Sequence, residues 1–292
     1  MHKHAYIMTF IGISRKTIFS PNRESADAAI FQGVATEIEK RGHDVVRVSE
    51  SVLTESGLPS GLSIDGIFHM VRSVEALGIL NKQEAEGVPV INTPQAVMNC
   101  GRALCAGYLS SDILCFVNSL VLSTDKLPAE WNVYPCWVKR GDTQSYFADD
   151  VRFVISPKEC AAVLGNFYAR GVGTAVLSTH VPGRIVKFYG VSDIGFFNWR
   201  MVNLDKESKF GLEKHNDNNI IPCFDEEYFR KVCFSSAQIL GLDVFGGDAV
   251  ISERGRITLI DFNDWPSFSG CVHDAESRIA ELIIKRALSI QV

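Results

Sequence analysis

Gly241 to Phe268, GLDVFGGDAVISERGRITLIDFNDWPSF, is the stretch from which the fold can be read. Two largely apolar runs, Phe245 to Ser252 and Ile257 to Asn263, flank the short polar segment Glu253-Arg254-Gly255-Arg256. β-prone runs separated by a few polar residues with a glycine predict a β-hairpin. With residues 253 to 256 as the loop, Ser252 faces Ile257, and counting back along both strands sets Asp248 opposite Asp261. Side chains two apart on a strand share a face, so Asn263 joins Asp261. Two carboxylates and an amide oxygen then converge on one region. Such oxygens repel one another unless a cation lies between them, and hard oxygen ligands favour magnesium. The alternative is a solvated hairpin whose acids face water. Ile257, Leu259, Ile260, Phe262 and Trp265 around Asp261 argue against it, because an unpaired buried carboxylate is costly.

The rest of the chain is consistent with a soluble α/β protein. Its 292 residues suffice for two or three packed subdomains. Hydrophobic residues make up 46% and charged residues 22%, ordinary globular values. A net charge of -5 argues against a general binder of nucleic acid or anionic membrane, though not against a local basic pocket. No apolar run is long enough to span a membrane, and the start MHKHAYIMTFIG lacks the pattern of a signal peptide, so a cytoplasmic protein is expected. The eight cysteines are scattered without a CxxC pair and read as reduced, mostly buried thiols.

Strands at Ala5 to Ile13, Asp44 to Val48, Ile64 to Met70 and Pro89 to Asn92 alternate with helices at Ala26 to Arg41 and Val74 to Glu86. That alternation predicts an open parallel sheet over residues 1–95, with ligand loops at the strand ends, where Arg72 sits. A single helix is expected from Gln95 to Ser110, carrying Arg102 near its middle, then strands around Val117 to Leu122, Cys136 to Lys139 and Val151 to Ile155. Ser156 opens a capped helix to Arg170, and strands follow at Thr174 to Thr179 and Gly183 to Tyr189. Phe196 to Asp217 shows no steady period and reads as a long irregular loop, followed by a helix from Asp225 to Leu240. A last helix spans Asp274 to Ser289.

Lys139 and Lys187 each end or occupy an apolar strand, where an ammonium needs an anionic partner such as phosphate. These lysines, combined in order with the acidic hairpin, resemble the ATP-grasp superfamily over roughly residues 90 to 268. Asn92-Thr93-Pro94 is similar to the Asn-Ser-Pro that opens the family's central domain. Trp137-Val138-Lys139 resembles its strand-borne nucleotide lysine, and Asp142 to Phe147 its loop over the phosphates. Leu177 to Gly183 looks like the hinge that binds adenine through its backbone. Gly247-Asp248 and Ile260-Asp261-Phe262-Asn263 resemble the magnesium-binding strands, the most specific of these motifs.

The resemblance implies an ATP-grasp fold behind an N-terminal α/β domain at residues 1–95, a central lid subdomain at 96–178 and a C-terminal subdomain with the metal-binding hairpin at 179–292. It implies ATP and magnesium as cofactors, with Asp248, Asp261 and Asn263 as metal ligands. Arg102 and Lys139 would neutralise nucleotide phosphates, Leu177, Ser178, Thr179 and His180 would form the adenine hinge, and Lys187 would lie near the nucleotide or the transferred phosphoryl. Departures are Ser178-Thr179 where many relatives have Gln-Glu, a single glycine in the loop at 141 to 150, and arginine at 102 in place of lysine. None removes a metal ligand.

Family members mostly phosphorylate a carboxylate and let an amine or thiol displace the phosphate, as glutathione synthetase and D-alanine–D-alanine ligase do. A ligase of this kind is the first expectation, with Arg200 as the cation for the tetrahedral oxyanion. The second is a kinase for a hydroxyl of an inositol phosphate-like substrate, since His180 to Val191, followed by Ile260 to Phe268, also resembles ATP-grasp inositol phosphate kinases. It would draw on Arg72, His180, Arg184, Arg200, Lys206, Lys209 and His215. A nucleotide-binding protein without turnover is the third. The partner expected is a small-molecule acceptor, with a homodimer as found in many relatives, and neither nucleic acid nor membrane.

Overall fold

Strands and amphipathic helices alternate from the start of the chain, as the sequence predicts. The computed structural model describes residues 6–110, 115–126, 128, 130–143, 147–202 and 223–290. β1 (Thr9–Ser14) leads to α1 (Glu24–Lys40), which buries Ile30, Phe31, Val34, Ala35 and Ile38 along one stripe. β2 (Asp44–Ser49) follows, then α2 (Glu50–Ser56), too short to show a period in the sequence, whose first turn is capped by the Ser49 hydroxyl accepting from Val52 N–H. β3 (Gly66–His69), α3 (Val74–Ala85) and β4 (Val90–Ile91) complete a four-stranded sheet in the order β2-β1-β3-β4, with every pairing parallel.

Asn92 fastens this layer to the rest. It is 1% exposed, its Oδ1 accepts from the N–H groups of Asp243 and Val244, and its Nδ2 donates to the Val244 carbonyl at 2.7 Å. Thr93 then caps α4 (Pro94–Asn99), with proline in the first turn where no N–H is needed. The single helix expected from Gln95 to Ser110 is two: the chain turns at Cys100-Gly101 and restarts as α5 (Arg102–Leu109). The turn is tight at Gly101, where a Cβ would lie 3.1 Å from the carbonyl oxygens of Asp142 and Met98. Arg102 is therefore the first residue of a helix rather than the middle of one.

β5 (Ser119–Ser123), β6 (Cys136–Arg140), β7 (Val151–Val154) and β8 (Thr174–Thr179) form a second, antiparallel sheet in the order β5-β8-β6-β7. α6 (Pro157–Ala169), capped by Ser156, covers one face of it with Cys160, Leu164 and Phe167 against Cys136, Val138 and Leu177.

The third sheet comprises β9 (Arg184–Val191), β10 (Phe196–Met201), β11 (Val244–Ile251) and β12 (Ile257–Asp264), ordered β10-β9-β11-β12 and antiparallel throughout. β10 corrects the reading of Phe196 to Asp217 as irregular. All six of its residues are half-buried, so no polar-apolar alternation marks it; the part of that stretch beyond Val202 lies outside the described residues. α7 (Glu226–Leu240) packs under the sheet, with Phe229 at 5.7 Å from Phe188, which in turn meets Phe262 at 5.1 Å. α8 (Val272–Ile290) closes the chain against α1, in a core shared with Phe68 and Trp265.

The hairpin reaches the expected pairing by a different route. Ser252 N–H donates to the Arg256 carbonyl at 2.9 Å and Ile251 pairs with Ile257, so the loop is one residue tighter than the sequence reading had it, with Gly255 at φ 77°. That register alone would set Asp248 against Ile260. A bulge between Asp248 and Ala249 takes up Ile260 as an extra residue, and Asp248 faces Asp261 after all.

Candidate functional site

Residues paired directly across a sheet point to the same face. The third sheet therefore carries one transverse row: Arg200 opposite Lys187, Lys187 opposite Asp248, and Asp248 opposite Asp261. Four residues singled out from the sequence thus come into line, one from each strand. Lys187 Nζ donates to Asp248 Oδ1 at 2.6 Å. Arg102, at the start of α5, brings Nη2 to 3.7 Å from Asp261 Oδ2. Lys139, next to last in β6, donates to the Ile260 carbonyl at 3.1 Å. Burial pulls the Lys139 ammonium below its ordinary pKa, and Asp261 is the largest influence holding it up.

The cleft between the second and third sheets is lined by Arg102, Lys139 and Lys187 against Asp248 and Asp261. Three cations against two carboxylates leave an excess of positive charge, suited to a polyanion. One pleat along the row, Ile185 faces Val250, and both line the cleft. Trp137, Val117, Val151 and Val181 extend this apolar wall. On β6 the alternation sends Trp137 and Lys139 into the cleft and Val138 into the core. Trp137 was quoted in the sequence motif, but only for its neighbouring lysine. One pleat in the other direction, Asn198, Tyr189, Gly246 and Asn263 share the face of the charged row.

The hinge residues divide. Ser178 and Thr179 line the cleft, and Ser178 Oγ is 2.9 Å from Ser119 Oγ. The Leu177 side chain is fully buried in the core beneath α6. His180 packs on Phe153 at 5.2 Å and accepts at Nδ1 from Trp137 Nε1 at 3.3 Å. Arg200 lies at the far end of the row. Its Nε donates to the Ser269 carbonyl at 2.8 Å and its side chain hydrogen-bonds Tyr189, a phenol whose pKa burial pushes up.

Arg72 is not a surface arginine. It is held by Asp264, Nη2 to Oδ1 at 2.8 Å. Lys206, Lys209 and His215 of the set expected for a kinase lie outside the described residues, as do residues 144–146 of the expected phosphate loop. Among the described residues no group of three or more His, Cys, Asp or Glu side chains could hold a metal. The set that fits a hard cation is Asp248 and Asp261, paired across the hairpin, with the Asn263 amide oxygen on the same face.

No family model matches the sequence, and no curated protein matches it. Solved structures do. The chain superposes on a D-alanine–D-alanine ligase from Bacillus anthracis complexed with ATP, with TM-score 0.68 and 12% identity over 98% of this chain and 99% of that one. A D-alanyl-alanine synthetase A from Vibrio cholerae gives TM-score 0.68 and 14% identity over 97% and 98%. The ligase PsnB complexed with minimal precursor gives TM-score 0.61 and 15% identity over 96% and 99%.

Proposed function

From an ATP-grasp fold whose cleft aligns cations and carboxylates in one row, we propose that this protein is an ATP-dependent ligase. It activates a carboxylate of a small-molecule acceptor as an acyl phosphate, which an amine or thiol then attacks. The observation that carries the reading is the row Arg200–Lys187–Asp248–Asp261, faced by Arg102 and Lys139.

The nucleobase rests against Trp137, Ile185 and Val250, beside Ser178 and Thr179, which line the cleft while the Thr179 and His180 N–H groups are held by the Asn118 and Pro135 carbonyls. Arg102 and Lys139 bind phosphate oxygens. Asp248, Asp261 and Asn263 are the residues that would hold magnesium, which when bound neutralises the phosphates and orients them. Lys187 exchanges part of its contact with Asp248 for the phosphoryl in transit. The acceptor carboxylate oxygen attacks the γ-phosphorus, the bond to the ADP oxygen breaks, and ADP leaves. The nucleophile then adds to the carbonyl carbon, Arg200 stabilises the oxyanion, and collapse expels inorganic phosphate. Catalysis is positioning and charge stabilisation.

The solved structures of like fold are named as ligases, which supports this chemistry over a kinase. The deciding experiment offers ATP, magnesium and pools of carboxylic and amino acids with hydroxylamine as a trap. Hydroxamate together with ADP is expected. A stable phosphoester on a polyol phosphate, or ATP binding with no ADP from any acceptor, overturns the reading.

A further inference from the structure

Asp264 directly follows Asn263 at the end of β12 and is only 2% exposed. Two arginines from the first sheet grip it. Arg72 gives Nη2 to Oδ1 at 2.8 Å and Nε to Oδ2 at 3.4 Å, and adds a contact to the Asp264 backbone carbonyl at 3.4 Å. Arg15 reaches Oδ2 at 3.6 Å and the Trp265 carbonyl at 3.3 Å, while its Nη1 holds Asp27 at 3.0 Å.

The loops that carry these arginines are themselves tied. Glu50, fully buried at the start of α2, accepts from the backbone N–H of Lys16 at 2.8 Å, of Arg72 at 3.2 Å and of Ser73 at 2.8 Å. One carboxylate thus sets the backbone next to Arg15 and at Arg72, and both guanidiniums converge on Asp264. A planar guanidinium with two contacts fixes a carboxylate in orientation as well as position. None of these groups lines the nucleotide cleft.

We propose that Arg72 and Arg15 are positioning residues for the metal-binding strand. By locking Asp264 they hold the end of β12, and with it Asn263 and Asp261, in the register that a divalent cation requires. The inference rests on the magnesium role of Asp248, Asp261 and Asn263. Groups hydrogen-bonded directly to metal ligands typically change metal affinity by about ten- to a hundredfold when removed, and arginines that act through the adjoining residue are expected at the lower end of that range.

The test titrates AMP-PNP by calorimetry, once in EDTA and once in saturating magnesium, with melting temperature recorded for each variant. The ratio of the two affinities is the readout. In Arg72→Met that ratio is expected to fall by about tenfold, with the EDTA affinity unchanged. Arg72→Lys, which keeps the charge and loses the two-point grip, is expected to fall between Arg72→Met and the parent, and decides the matter if Arg72→Met does not fold. A ratio equal to the parent's in the folded variants, whatever happens to the melting temperature, overturns the proposal and leaves Arg72 a structural tie. Equal loss of both affinities overturns it as well. A parent ratio of one removes the magnesium role itself, and the proposal with it.

Discussion

Lys187 and Asp248 stand directly opposite each other on β9 and β11, and the ammonium meets the carboxylate at 2.6 Å with both side chains about one-fifth exposed. A pair drawn this far from water loses hydration on both ions, which offsets much of its attraction, so its net contribution to stability is small. Its place between Arg200 and Asp261 in the row sets the Lys187 cation beside Asp248, one of the proposed magnesium ligands. Lys187→Met is expected to fold, to bind ATP with modest loss, and to lose about 100-fold in turnover, the scale seen when one transition-state donor is removed. ADP release under saturating substrates measures it. Turnover within a few-fold of the parent would remove Lys187 from the mechanism.

Gly247 lies beside Asp248 with the hairpin partner pressed against it. A Cβ there would sit 2.2 Å from the Asp261 carbonyl oxygen and 2.5 Å from Phe188 Cζ. Neither the backbone nor a ring fully buried in the core can yield easily. Gly247→Ala is expected to cost about 1–3 kcal/mol in urea denaturation. The same shift moves Asp261, so magnesium-dependent nucleotide binding should weaken too. A variant as stable as the parent would show that the sheet can open at this point.

Trp137 is the largest apolar group of the cleft wall, held by His180 and Phe153. Trp137→Ala should weaken ATP by about tenfold, a little over 1 kcal/mol. Inorganic tripolyphosphate has no base, and competition assays should find its affinity unchanged. Equal losses for both ligands would place Trp137 at the phosphates or in the fold.

His69 offers a pH signature. It is 1% exposed, its Nε2 is 2.7 Å from the Asn92 carbonyl, and burial depresses its pKa from 6.5 to about 4. The unfolded imidazole binds a proton below pH 6.5 and the folded one does not until about pH 4. The stabilising difference is therefore fully present above pH 6.5 and declines as pH falls toward 4, by about 3 kcal/mol in all. Denaturation curves across that window should show this loss in the parent and a shallower one in His69→Gln. Parallel pH slopes for the two proteins would rule it out.

The hairpin was legible because its information is local. The apolar runs and the polar turn lie within one short stretch, so the opposition of Asp248 and Asp261 could be counted from the turn. Even so the count succeeded because two one-residue differences cancelled: a tighter loop and a bulge at Ile260. β10 leaves no clear period because neither of its faces is wholly polar, and the break between α4 and α5 carries no proline or other strong stop signal, only Gly101 packed against the Asp142 and Met98 carbonyls.

Local pattern in the chain is therefore enough to give a parallel α/β layer, two further β-rich segments, and the acidic hairpin with its lysines. Hydrophobic period and turn chemistry act over a few residues, and they can be read wherever they occur. The tertiary structure alone decided which charges meet. Arg72 and Asp264 are 192 residues apart, and their pairing depends on a buried environment made by two sheets. No local signal records that environment, because the free energy of a buried charge belongs to everything packed around it.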